Sequence, residues 1–166
     1  MEEQQYLREL IKNISNTEIV LEEVTSQVDL GNISLENISQ WQPNISLDIS
    51  TLDEFDPKSD TMIINVIYTL SERITTNTTT ANNDNHYICN LKIRYRLLFI
   101  VNVIDSLTNV LQNVETRNKL VKNLARTTGV LMVFPYLRHM LDILHKEMRL
   151  PIPPLPPLLI EKVTDK

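Results

Sequence analysis

The sequence predicts an α+β fold, a four-stranded antiparallel sheet followed by two C-terminal helices. Three observations lead there. The first 104 residues are rich in Ile, Val and Thr and repeat their apolar residues at period two. After Ile104 the apolar spacing lengthens to about 3.6 residues, the period of a helix. With 166 residues, of which 42% are hydrophobic and 22% charged, the chain has the size and composition of one folded domain.

The sheet is expected over about residues 10–104. A first strand lies within 10–24, with Ile19 and Leu21 facing one way and Val20 and Glu22 the other. In the second, "NISLDIS" (44–50), Ile45, Leu47 and Ile49 share one face, while Asn44, Ser46, Asp48 and Ser50 share the other. That pattern describes a half-buried strand. The third, 61–76, sets Met62, Ile64, Val66, Tyr68 and Leu70 on a continuous apolar face, and the fourth runs from about Tyr87 to Ile104. Turn chemistry separates the second strand from the third ("LDEFDPKSD", 52–60). The polar "TNTTTANNDN" (76–85) makes the third and fourth an antiparallel hairpin. A longer irregular piece before the second strand reaches "QWQP" (40–43), with the only tryptophan, Trp41, beside Pro43.

Helices are expected over about 106–148. Leu107, Val110, Leu111, Val114, Val121 and Leu124 repeat at helical spacing, with Ser106 as N-cap and Gly129 as a boundary. A second helix carries Val130, Val133, Phe134, Leu137, Met140, Leu141, Leu144 and Met148. With Pro135 near its start, it either begins at Phe134 or bends there. The segment "LPIPPLPPLLI" (150–160) cannot join a sheet interior, because proline donates no backbone hydrogen bond, and is expected to be an extended strap. Its leucines either pack back on the chain's own sheet or are held apart by stiff prolines to line a groove for an extended guest.

Chemistry is hard to find. A net charge of −5 and a pI near 5.2 argue against a nucleic-acid partner, and "LKIRYR" (91–96) reads as one face of a strand. Two glycines in the whole chain exclude phosphate-cradling loops, so no nucleotide or other cofactor is expected. His139 and His145 flank Asp142 at three-residue spacing, which a solvated helix face explains better than a metal site. A lone cysteine, Cys89, alternates with Ile88 and Asn90 as a small buried hydrophobe would. No catalytic constellation forms, and the chain is not expected to be an enzyme. The acidic, polar start "MEEQQYLREL" is unlike a secretory signal, and the longest apolar run, "LLFIV" (97–101), is too short to cross a bilayer. Location in the cytoplasm is the expectation.

Four landmarks, in order, carry a resemblance: "WQPNISLDIST" (41–51), the cysteine of "YICNLKI" (87–93), "FPYLRHMLDIL" (134–144) and "LPIPPLPPL" (150–158). Together they resemble the SecB family of export chaperones over roughly residues 10–160. The resemblance implies a single domain spanning 1–166 that assembles as a homotetramer, a dimer of dimers, and holds unfolded polypeptides without ATP. It implies a peptide groove at Trp41, Phe134, Tyr136, Leu155, Leu158 and Ile160. Subunit contacts would run through Cys89, Leu91 and Ile93. Docking to the SecA motor would use Glu18 and Glu22 on the outer sheet face, with Ile88. Asn90 stands where well-known members carry an acid, and Arg94, Tyr95 and Arg96 replace an expected Gly-Gly pair. These departures bear on export; a dedicated chaperone for one partner, such as an antitoxin, or an oligomeric scaffold without a client are the alternatives.

Overall fold

The computed structural model describes residues 2–28, 41–76 and 87–150. In chain order the elements are α1 (Glu2–Lys12), β1 (Ile14–Val28), β2 (Trp41–Phe55), β3 (Thr61–Thr76), β4 (Tyr87–Asn102), α2 (Asp105–Gln112), α3 (Val114–Leu124), a π-helical turn (Ala125–Gly129) and α4 (Val130–Glu147). The four strands form one antiparallel sheet in the order β1-β4-β3-β2, so β1 and β2 are its edges. The strap expected over 150–160 lies outside the described residues, apart from Leu150.

Register follows from a few bonds. Asn102 N–H donates to the Asn13 carbonyl at 2.8 Å, and the Ser15 hydroxyl reaches the Ile100 carbonyl at 3.1 Å. Farther along, Glu23 faces Lys92 at 3.1 Å. Numbers rise on β1 as they fall on β4, which is antiparallel pairing without a slip. Odd residues of β1 therefore share a side of the sheet with even residues of β4. The other side faces the helices: the Tyr68 hydroxyl on β3 donates to the Ala125 carbonyl at 2.7 Å, and Leu97 on β4 lies against Gly129.

The chain divides into two compact units, and all four strands contribute to both. The first comprises Met1–Val20, Ile49–Tyr68 and Tyr95–Phe134. Its interior is Met62, Ile64, Val66 and Tyr68 of β3 and Leu97, Phe99 and Val101 of β4, with Leu10, Leu107, Leu111, Leu120, Val121 and Leu124 from the helices. Here α1 packs on α2 and α3, and Arg117 of α3 reaches across to Asp53 (2.7 Å) and the Phe55 ring of edge strand β2. The second unit comprises Leu21–Asp48, Thr69–Arg94 and Pro135–Lys166. Leu70, Ile74, Cys89, Leu91, Ile93, Leu137 and Leu141 are buried in it.

The helices depart from expectation in three places. Residues 2–12 are helix, where the first strand was expected to start at about residue 10. "EEQQYLREL" has no β-branched residue and consists mainly of good helix formers, and Leu10 anchors it in the core. Ser106 caps nothing: the helix starts at Asp105 behind Ile104, and the side-chain cap is Asn113, whose Oδ1 accepts from Thr116 N–H at 3.0 Å ahead of α3. Gly129 is no boundary, since helical backbone continues from Val114 through the π turn and Pro135 to Glu147. The glycine is there for space. A methyl group on it would fall 1.9 Å from the Tyr68 oxygen, which is fixed by its bond to Ala125 in a fully buried ring.

Gly129→Ala should therefore destabilise the fold by about 1–3 kcal/mol, the usual range for overpacking. On a Tyr68→Phe background the same alanine should cost less, because the clashing oxygen is gone. Denaturant unfolding of the four proteins checks this as a double-mutant cycle.

Candidate functional site

Of the residues expected to bind peptide, Trp41 and Tyr136 belong to the second unit. On the helix-facing side of its sheet, Leu70 and Ile74 of β3 and Cys89, Leu91 and Ile93 of β4 are sealed from water. The edges are not. Ile45 of β2 remains 39% exposed and Val24 of β1 38%, and Leu47 is half-buried. Asp53 and Phe55, farther along β2 in the same alternation, meet α3, which places Ile45 and Leu47 on the helix-facing side as well. Along α4, Leu137 and Leu141 are buried, whereas Tyr136 (50% exposed) and Ile143 face solvent, with Met140 half-buried near them. Phe134, half-buried, is the last residue of the first unit.

Trp41 opens β2, but its side chain lies outside the described residues, as does that of Ile88 on β4. Leu155, Leu158 and Ile160 lie outside them entirely. Of the six groove residues expected, Phe134 and Tyr136 are described with their side chains, and Tyr136 is the exposed one.

A polar pair sits within this apolar unit. Glu72 continues the buried alternation of β3 one step beyond Leu70 and is fully buried. Its Oε2 meets His145 Nε2 at 2.5 Å, and His145 is only 5% exposed. The expected solvated face for His145 is thus corrected: it turns toward Glu72 on the sheet. Glu72 Oε1 has no hydrogen-bond partner among the described residues. The pair fastens the end of α4 to β3. Just beyond, the helix closes as a Schellman motif: Arg149 adopts φ 54°, its N–H bonds to the Lys146 carbonyl, and Leu150 N–H bonds to the His145 carbonyl at 2.9 Å. Leu150 is buried there. Among the described residues no three His, Cys, Asp or Glu side chains gather to hold a metal ion.

Cys89, Leu91 and Ile93, expected at a subunit contact, are core residues of the single chain. Alternation leaves Asn90, Lys92 and Arg94 as the open face of β4. The charges on that outer face also differ from expectation. Glu23 occupies it, held by Lys92 (3.1 and 3.2 Å) and Arg94 (3.1 Å). Glu18 and Glu22 alternate with Glu23 and fall on the helix-facing side of β1, so the acidic outer face expected for motor docking is absent among the described residues of β1 and β4 in the second unit.

A four-stranded antiparallel sheet in the order β1-β4-β3-β2, covered on one side by C-terminal helices, is the fold of SecB-like chaperones. Specifically, the structure is similar to that of the Mycobacterium tuberculosis SecB-like chaperone Rv1957, in complex with a ChAD peptide from the Rv1956 HigA1 antitoxin. The TM-score is 0.59 over 95% of this chain and 100% of that chain, at 17% identity. No family model and no curated protein matches the sequence. The likeness is therefore one of fold, with little of it left in the residues.

Removing one partner of the Glu72–His145 pair, as in Glu72→Met or His145→Leu, should cost about 1–3 kcal/mol by leaving the other's buried polar atoms unsatisfied. Glu72→Met with His145→Leu should recover most of that loss in the same unfolding assay. The Cys89 thiol gives a pH test. Burial, and secondarily the Glu72 carboxylate, push its pKa up to about 11. In the unfolded chain it titrates near 8.5, so above that pH the folded state binds the proton more tightly than the unfolded one. Stability should fall as pH rises from about 8.5 through about 11, and Cys89→Ala should lessen the slope. Alkylation of Cys89 at pH 8 should occur only on unfolding.

Proposed function

We propose that the protein is a chaperone that holds unfolded polypeptide segments, without nucleotide, against the apolar margin that the second unit leaves open. The observation carrying this reading is the contrast across the sheet: complete burial on β3 and β4 beside an exposed Ile45 and half-buried Leu47 on β2. An apolar strip left open at a sheet edge invites aggregation unless it has an occupant. Capture of an extended, partly apolar guest is the use that fits it. The fold supports the reading, since it is shared with a protein named as a SecB-like chaperone and solved with a bound peptide.

In this reading the chain is a homo-oligomer, a tetramer built as a dimer of dimers, acting in the cytoplasm and not as an enzyme. A second form of the reading, one dedicated client, is favoured by the source of that bound peptide, an antitoxin. Delivery to the SecA motor has less support, because the acidic alternation on which it was expected falls on the other side of β1 and Glu23 is already engaged by two cations.

Light scattering of client aggregation, run beside a mass measurement of the oligomer, tests both forms. A general chaperone suppresses aggregation of several unrelated unfolded proteins at near-stoichiometric amounts; a dedicated one protects a single partner. Protection of none sinks the proposal. Ile45→Lys with Tyr136→Ala should weaken client binding by about tenfold or more, or about 1.4 kcal/mol, while the oligomer mass stays the same.

A further inference from the structure

Two apolar runs in the first unit do more than fill its core: "MIINVIY" (62–68) on β3 and "LLFIV" (97–101) on β4. A strand with one wet side alternates, whereas an apolar run with little interruption marks a strand covered on both sides. Even residues of β3 and odd residues of β4 face the helices. The outer side therefore carries Ile63 and Ile67 of β3, Leu98 and Ile100 of β4, Ile19 of β1 and Leu52 of β2. Leu52 is 64% exposed and the other five are half-buried. The second unit's outer side is different: β3 there sets out Ser71, Arg73 and Thr75, and β4 Asn90, Lys92 and Arg94. Every residue of the first unit from Glu2 onward is described, so that unit has no further segment of its own to cover the apolar side. Among its described strand positions the charged ones on this side are Arg96 of β4 and Glu54 of β2, one of each sign.

We infer that the outer side of the first unit is an interface with a second copy of the chain, packed sheet on sheet about a two-fold axis, so that each copy covers the other's Ile63, Ile67, Leu98 and Ile100. A chain of net charge −5 repels its own copies in general. On this side one cation and one carboxylate cancel, so two copies meet without a net like charge, and a strongly acidic or basic partner gains nothing from it. Size sets the strength of the contact. Roughly fourteen outward positions of about 32 Å² each give about 450 Å² per copy, or about 900 Å² for the pair. That is well short of the roughly 1,600 Å² of a standard interface. Such a contact holds only alongside another one, as the weaker interface of a dimer of dimers. The inference rests on the oligomeric form of the proposed function, names one of its two interfaces and does not require a client.

Sedimentation equilibrium of the full chain gives mass against concentration. Leu52→Glu, a change at an exposed residue of an edge strand, should halve the mass of the assembly. Arg96→Glu should weaken association at least tenfold, and Arg96→Glu with Glu54→Arg should recover most of that loss; no recovery would overturn the choice of a second copy as occupant. A maleimide tests the face itself. With Asn65→Cys, between Ile63 and Ile67 on this side, on a Cys89→Ala background, the labelling rate should fall at least tenfold as concentration rises through the range where the mass doubles. A rate that ignores concentration would overturn the inference: a fast one means an open face, a slow one a face covered by the chain itself. A rate that falls only when an unfolded protein is added would mean that a client lies there, with the same consequence. If Leu52→Glu leaves the mass unchanged, the interface lies elsewhere and the oligomer survives. If the chain is a monomer at every concentration, both fail.

Discussion

One helix cannot cover four strands. Strands lie about 4.8 Å apart, so the axes of the outer two in a four-stranded sheet are about 14 Å apart before side chains are counted, whereas a helix is about 10 Å across with its side chains. In the second unit the described covering element is α4 alone, and the burial gradient follows: the central strands are sealed and both edges stay open. In the first unit α1, α2 and α3 are added, and Arg117 reaches as far as Asp53 and Phe55 on β2. The same strand is thus capped by a helix in one unit and open at Ile45 in the other. Among the described residues, the difference follows the number of helices over each half of the strand.

An uncovered edge beside a helix is useful only if the helix keeps its place. Two devices hold it. At the π turn the Ala125 carbonyl accepts both from Val130 N–H and from the Tyr68 hydroxyl, with Gly129 making room for the ring. The Glu72–His145 pair then fixes the far end of α4 to β3. A buried polar pair contributes little net stability compared with apolar residues of the same size; what it opposes is every arrangement that would leave one partner alone in the core. A helix sliding along an apolar sheet loses little per residue, and that pair makes the slide expensive.

The sheet was legible because alternation depends only on which side is wet. The faces assigned to β2 and β3 from Ile45, Leu47 and Ile49 and from Met62 to Leu70 hold in three dimensions. Helix limits were less legible. The first eleven residues of helix lack the long apolar run that would announce one, and Gly129 carries the sequence mark of a helix end while serving to admit a tyrosine. Glu72 had a signal that could have been used, a charged residue in phase with a buried face and therefore in need of a partner. Glu18 and Glu22 share an alternation, as expected, but nothing in β1 alone says which side is outer. That information lies in β4, where Lys92 and Arg94 select Glu23.

The low identity to a chain of the same fold becomes intelligible from these constraints. An apolar margin such as Ile45 and Leu47 form on β2 does not depend on particular side chains beyond their being apolar at alternate positions. Such a margin tolerates replacement of isoleucine by valine or leucine with little loss, so chains of one fold can diverge widely in sequence, as the 17% identity at a TM-score of 0.59 illustrates. Charge is less free to drift without consequence. Moving one carboxylate by a single residue on β1 transfers it to the other side of the sheet, and placing two cations opposite the remaining one changes which partner that side can attract. Chains of this architecture can therefore keep the apolar alternation of an edge strand while changing the charge of the opposite face, and the residues to compare between them are the charged ones of β1 and β4.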